Sequence, residues 1–357
     1  MKISKTILIT GTHHTPAIEL INLLKKDLDI NWKIVYVAHQ YKTETHLIHT
    51  IIPKLKVEFF NLDCGKFDRK NLDITLLGIP KIIKAFFIAF SLIRKLKPQV
   101  VVSFGGYVSV PVVIAAYFNG VPSITHEQTV TNSLATKINS YFATKVALSF
   151  DSDTQKKQLP VSKTIVTGNL LRQEIFDTTS SSFKKIKPPI IYFTGGNQGS
   201  IFLNELLYQL IPLLGNNISV IHQTGKNNDP VLQSELASKY QYFPSEFIES
   251  EDIGWVLNNA DLIVSRSGAN ICQEIDVLDK KSLLIPHPFT QQNEQQQNAL
   301  WLKSRHPKSI FIISQEKANP ASVLELINKI IKISHTSRPQ IPPKTHPLFK
   351  LVHEISL

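Results

Sequence analysis

Cysteine is scarce in this sequence. The two present, Cys64 and Cys272, lie far apart in no CxxC pair, which leaves too few ligands for a structural zinc site and no disulfide framework. That usage fits a reducing cytosol. Long low-complexity runs are missing as well, and 43% apolar against 19% charged residues excludes a disordered chain. No signal peptide is expected, because Ile7-Leu8-Ile9-Thr10 is only strand-length before Gly11. The most apolar stretch, Ile74 to Ile93, is interrupted by Pro80, Lys81 and Lys84, whereas a membrane span needs roughly 20 predominantly apolar residues. Acids are the minority charge: 28 Asp and Glu face 39 Lys and Arg, for a net +11. Either an AT-rich genome or selection for binding accounts for such a lysine excess. The partners that sign admits are nucleic acid, phosphorylated substrates and an anionic membrane surface.

A chain of 357 residues is long enough for two domains, each with its own core. Short β-rich runs alternate with helical patterns in both halves. They are Thr6–Thr10, Lys33–Ala38, Val100–Phe104, Pro122–His126 and Lys145–Ser149, then Pro189–Thr194, Ile218–His222, Leu262–Ser265, Ser282–Pro286 and Ile310–Ile313. This predicts an α/β protein of two doubly wound, Rossmann-like parallel-sheet domains built from right-handed βαβ units. The expected limits are residues 1–163 and 164–335, with the hinge near Pro160 to Thr167 and a tail, 336–357, packing back on the first domain. The apolar helix around Phe86-Phe87, ending in Arg94-Lys95-Leu96-Lys97, either lies with one face among lipid headgroups or is a core helix under a sheet.

Ligands in such sheets sit beyond the carboxyl ends of the strands. There the sequence reads Gly11-Thr12-His13-His14-Thr15-Pro16, Gly105-Gly106-Tyr107-Val108-Ser109 and His126-Glu127-Gln128-Thr129. In the second half it reads Gly195-Gly196-Asn197-Gln198-Gly199-Ser200 and Arg266-Ser267-Gly268-Ala269-Asn270. Glycines that open a helix bare backbone N–H groups suited to a phosphate, although they also serve as plain tight turns. Glu274 is placed to take ribose hydroxyls or is a solvated helix residue. The amide-rich run Gln291 to Asn298 pairs with sugar hydroxyls or is polar loop. Asp151-Ser152-Asp153 has the spelling of a DxD metal motif but stands away from the donor-type loops and is read as loop.

Taken in order, from the first strand to about residue 305, these loops resemble the MurG-type N-acetylglucosaminyltransferases of glycosyltransferase family 28, which have the GT-B fold. Gly168-Asn169-Leu170-Leu171-Arg172 is similar to that family's GNPxR segment, Gly195 to Gly199 to GGSQG, and His222-Gln223-Thr224-Gly225 to HQTG. Arg266 to Ala269 matches RSGA, and Gln295 with Asn298-Ala299 matches HQxxNA. The resemblance implies two domains facing a central cleft and inverting transfer of N-acetylglucosamine from UDP to an undecaprenyl-pyrophosphoryl muramyl-peptide, lipid I to lipid II, in peptidoglycan synthesis. It implies no metal or other cofactor, no nucleic acid partner, and peripheral attachment to an anionic membrane surface on the cytoplasmic face.

Residue by residue, it implies His14, His126 and Glu127 as catalytic, and Gly105, Gly106 and Tyr107 on the acceptor. Donor contacts fall to Thr12, His13, Thr129, Arg172, Gly196, Asn197, Gln198, Phe247, Ile248, Ser267, Gly268, Ala269, Asn270, Glu274 and Gln295. Arg172 and the two helix starts carry the leaving diphosphate's charge. The first loop departs from the family's GGTGGHxxP by contraction, so the base is either His13 or His14, with His14 favoured as nearer the helix. An asparagine has become Thr129, a serine Asn197, and Glu294 precedes Gln295. Another UDP-sugar-dependent lipid glycosyltransferase, a UDP-sugar epimerase and a nonenzymatic sugar-nucleotide-binding subunit are the alternatives. The Gly105-Gly106-Tyr107 loop favours the peptidoglycan reading.

Overall fold

The computed structural model describes residues 2–39, 52–65, 72–179, 182–196, 199–337 and 345–356. The chain forms two compact units, Met1–Leu170 together with Pro343–Leu357, and Leu171–Pro342. The change of unit thus falls later than residue 163, and the end of the chain returns to the first unit.

In the first unit seven parallel strands lie in the order β3-β2-β1-β4-β5-β6-β7. They are β1 (Ile3–Gly11), β2 (Ile30–Ala38), β3 (Glu58–Asn61), β4 (Val100–Phe104), β5 (Ser123–Glu127), β6 (Lys145–Leu148) and β7 (Thr164–Val166). β4 is buried at every position because successive side chains feed opposite faces. Val100, Val102 and Phe104 pack with Ala17, Leu20 and Leu24 on one side, and Val101 with Ala85, Ala89 and Val112 on the other. Each such fully buried large side chain contributes about 1.5–3 kcal/mol. β7 adds an outer strand beyond β6, so Asp151-Ser152-Asp153 does not follow the last strand of this half. Asp151 pairs with Lys156, and Ser152 caps a short helix.

The helix Leu72–Leu96 has one buried face and one exposed apolar face. Ala85, Ala89 and Ile93, four residues apart, are buried with Val112, Ala115 and Ala116 of the helix Ser109–Phe118. Ile79, Ile83 and Phe87, also four apart, are 42%, 53% and 63% exposed. Among the described residues no helix is long and apolar enough to cross a membrane. The returning helix Pro347–Ile355 places Leu348, Leu351 and Val352 in the same core as Leu20 and Leu24. His353 Nε2 lies 2.7 Å from Asp27 Oδ2, and Lys5 Nζ donates to the Ser356 carbonyl at 2.8 Å.

The second unit has six parallel strands in the order β10-β9-β8-β11-β12-β13: β8 (Ile190–Thr194), β9 (Ser219–Gln223), β10 (Tyr242–Ser245), β11 (Leu262–Ser265), β12 (Ser282–Leu284) and β13 (Ile310–Ile312). Ile191 and Phe193 enter one core, Ile190 and Tyr192 another. The strand order reverses between β1 and β4, where Gly11 is opposite Phe104, and between β8 and β11, where Thr194 is opposite Ser265. These two carboxyl edges are the crevices in which doubly wound sheets bind ligands.

Candidate active site

At the first edge the loops after β1 and β4 are laced together: the Thr12 N–H donates to the Gly105 carbonyl at 3.2 Å and the His13 N–H to the Phe104 carbonyl at 3.3 Å. Gly106 has φ +76°, and a Cβ there would fall 2.0 Å from Thr12 Oγ1, so the close approach needs glycine. The His13 ring packs over Gly105, its Cδ2 3.2 Å from where a Cβ would stand. Tyr107 is half-buried, its ring tilted on His39 at 6.3 Å. Glu127 closes β5 and is 2% exposed. Its Oε1 accepts the Thr129 N–H at 3.2 Å and its Oε2 the Ser133 N–H at 2.9 Å. Burial lowers the His13 pKa, the attraction of Glu127 opposes that, and the net value stays below 6.5. His13 thus stands within electrostatic reach of the anchored Glu127 carboxylate.

His14 stands elsewhere. It is the first residue of the helix His14–Lys25, and its Nδ1 bonds the hydroxyl of fully buried Tyr36 on β2 at 2.5 Å. His13, the extended residue before that helix (φ −92°, ψ 90°), is the one turned over Gly105 and coupled to Glu127. Of the two histidines, it is His13 that lies against the Gly105 loop. His126 is 1% exposed; its Nε2–H donates to the Gly168 carbonyl at 3.1 Å, with Ser149 Oγ at 3.2 Å. Burial pushes its pKa down to about 4. His126 Nε2 is thereby spent on the loop that follows β7. Thr129 is likewise engaged: its N–H serves Glu127 and its hydroxyl donates to the Thr131 carbonyl at 2.7 Å.

At the second edge the helix Ile201–Leu214 is capped by Ser200, and the helix Ala269–Leu278 starts at Gly268 with no side-chain cap. First-turn N–H groups left without a cap, at the positive end of a helix, suit an anion. Gly268, Ala269 and Asn270 form this start; Asn197 and Gln198 lie outside the described residues. Gln223 fastens the neighbouring turn: its Nε2 donates to the Gly196 carbonyl at 3.0 Å, while its Oε1 accepts from the Tyr192 hydroxyl and the Ile248 N–H at 3.2 and 3.3 Å. The Ile248 amide is thus already used and its side chain is core; Phe247 is half-buried, its carbonyl accepting from Ser245 Oγ.

Ser267 is fully buried. Its hydroxyl donates to the Gln295 carbonyl at 2.8 Å, while Gln295 Oε1 accepts the N–H groups of Ser267 and His287 at 3.3 and 2.9 Å. Asn298 Nδ2 donates to the Ser267 carbonyl at 3.1 Å. These side chains hold the donor-type loop together. Arg266 does the same, reaching Ser200 Oγ, the Ile285 carbonyl and Gln315 Oε1 at 3.1, 3.0 and 2.7 Å.

Glu274 is neither solvated nor isolated: it is 2% exposed and bound by Arg172 Nε and Nη2 at 3.0 and 2.8 Å, both on Oε1. Arg172 is thereby committed to Glu274 instead of standing free for a diphosphate. Among the described residues no group of three His, Cys, Asp or Glu could hold a metal ion.

Residues 7–148 match the glycosyltransferase family 28 N-terminal domain and residues 190–349 its C-terminal domain. The UDP-N-acetylglucosamine–N-acetylmuramyl-(pentapeptide) pyrophosphoryl-undecaprenol N-acetylglucosamine transferase of Clostridium kluyveri is 33% identical over 344 residues, 93% of each chain. The chain belongs to glycosyltransferase family 28. A similarly named transferase 3 of Bacillus thuringiensis is 32% identical over 348 residues, 93% of this chain and 92% of the relative. Among solved structures, Acinetobacter baumannii MurG superposes with a TM-score of 0.69 at 22% identity, over 99% of this chain and 93% of that one. The UDP-GlcNAc 2-epimerase of Neisseria meningitidis bound to UDP-GlcNAc gives 0.62 at 15% identity, over 99% of both. At those identities the likeness shows the fold alone. For a family 28 chain, the braces Gln223 and Arg266 were within reach of the sequence, because they fall inside the HQTG-like and RSGA-like stretches. Tyr36 and Ser133 carried no signal.

Proposed function

We propose that this family 28 chain transfers N-acetylglucosamine from UDP-N-acetylglucosamine to an undecaprenyl-pyrophosphoryl muramyl-peptide. The observation that carries the reading is the His13 ring packed against Gly105 at the β1/β4 edge, within electrostatic reach of Glu127 at the end of β5. His13 accepts the proton of the acceptor hydroxyl as its oxygen bonds to the sugar's anomeric carbon, and Glu127 steadies the imidazolium that forms. The bond from that carbon to the diphosphate breaks, and the charge left on UDP falls to the uncapped helix start at Gly268. Glu274, with Arg172 confined to Oε1, keeps Oε2 for the ribose hydroxyls. The exposed stripe Ile79, Ile83 and Phe87, with Lys84, Arg94 and Lys95 exposed on the same helix, supports peripheral docking on an anionic membrane surface. The test is UDP release with the lipid-linked acceptor in detergent. Release that needs both substrates is expected; release without acceptor, or none with it, overturns the assignment.

A further inference from the structure

Two histidines distant in sequence grip consecutive carbonyls. His126, next to Glu127 on β5, donates Nε2–H to the Gly168 carbonyl at 3.1 Å, and His346 donates Nε2–H to the Asn169 carbonyl at 3.1 Å. The tautomer of His346 follows from its other nitrogen, since Nδ1 accepts the Leu348 N–H at 3.1 Å and so caps the helix Pro347–Ile355. That of His126 follows as well, because a carbonyl only accepts. His126 Nδ1 is buried and has no hydrogen-bond partner, so this ring is held from one side only. The gripped residues lie where the chain leaves the first unit, and His346 lies just after it returns at Pro343.

We propose that His346 is a positioning residue of the transfer reaction: it fixes the Gly168–Asn169 segment on which His126 rests, and through it the end of β5 that presents Glu127 to His13. This rests on the reading of His13 and Glu127 given above. Both imidazoles are kept neutral by burial, their pKa values pushed to about 4, so each bears the single N–H the clamp uses throughout the neutral range. The residue has two separable duties. Asparagine reproduces the Nδ1 duty, capping a helix as Asn319 does in this chain through the Ser322 N–H at 3.0 Å, but is too short for the Nε2 duty. Glutamine reaches as far as Nε2 and can donate to the Asn169 carbonyl without capping.

The experiment compares full-length wild type, His346→Asn and His346→Gln by melting temperature, UDP-N-acetylglucosamine affinity, and kcat and KM with the lipid acceptor. His346→Asn is expected to melt near wild type, bind donor unchanged and lose at least tenfold in kcat. His346→Gln is expected to melt lower yet keep kcat within about threefold. If kcat instead follows the melting temperature, with Asn active and Gln impaired, His346 is only a helix cap and the proposal fails. If both variants keep full kcat it fails equally. Wild type that is itself inactive with the acceptor refutes the function and this proposal together, whereas with active wild type a failure of the expected pattern counts against His346 alone.

Discussion

Replacing His13 by alanine removes the proton acceptor while leaving the donor-type loops of the second unit untouched. General-base removal costs ~10²–10⁴ in rate, or about 2.8–5.6 kcal/mol of barrier at ~1.4 kcal/mol per decade. The loss belongs in kcat, with UDP-N-acetylglucosamine affinity by calorimetry unchanged. His14→Phe provides the contrast. It removes one hydrogen bond from the fully buried Tyr36 hydroxyl, which costs about 0.5–1.5 kcal/mol of stability and shows as a lower melting temperature, not as lost turnover at a temperature where the variant is folded. The pH profile adds a signed check. Glu127 raises the His13 pKa against the larger lowering by burial, so Glu127→Gln must lower it further and move the acid limb of the rate profile to lower pH, with reduced rate on the plateau. Turnover near wild type in His13→Ala, together with a collapse in His14→Phe at full stability, would return the base to His14 and refute the argument.

Glu274→Gln should weaken UDP and UMP alike, by roughly 1.5–3 kcal/mol for a lost charged hydrogen bond; unchanged affinity in calorimetry moves ribose recognition elsewhere. Donor binding measured with excess chelator should match that without it, and its disappearance would show that a metal ion is needed. Phe87→Ser should lower partition onto anionic vesicles at constant melting temperature, because that ring is 63% exposed, while Phe86, which packs on Phe90 and Phe118, should cost stability when changed; an unaltered vesicle partition for Phe87→Ser removes the helix from membrane docking. Burial holds His222 near pKa 3 and His126 and His346 near 4, so below about 6.5 the unfolded chain binds protons the folded one refuses. Stability is full above that pH and falls by about 1.4 kcal/mol per pH unit for each histidine as pH drops; a urea midpoint constant from pH 7 to 5 contradicts this.

The central strands were legible because burial on both faces leaves continuous apolar runs such as Val100 to Phe104. β3, β7 and β10 were not, and all three are edge strands. Thr164-Ile-Val166 is short and largely exposed, and β10 contains Pro244, which only an edge tolerates. The loops that form the site were readable from their position after strands, yet their division of labour was not. Whether His13 or His14 turns over Gly105 depends on where the helix starts, and the pairing of Arg172 with Glu274 joins residues 102 positions apart. Ser267, Gln295 and Thr129 are motif residues whose side chains bond to backbone groups, a duty invisible to spelling alone.

The helix Pro347–Ile355 has a consequence for how the molecule is made. Its apolar residues complete the core of the first unit, yet they leave the ribosome only after the whole second unit has been synthesised. The first domain begun is therefore the last one finished, and until then the Leu20 and Leu24 face and the Asp27 carboxylate wait without their final cover. A premature stop a dozen residues before the end would spare the second unit, whose sequence is already complete, and expose the unit that holds His13.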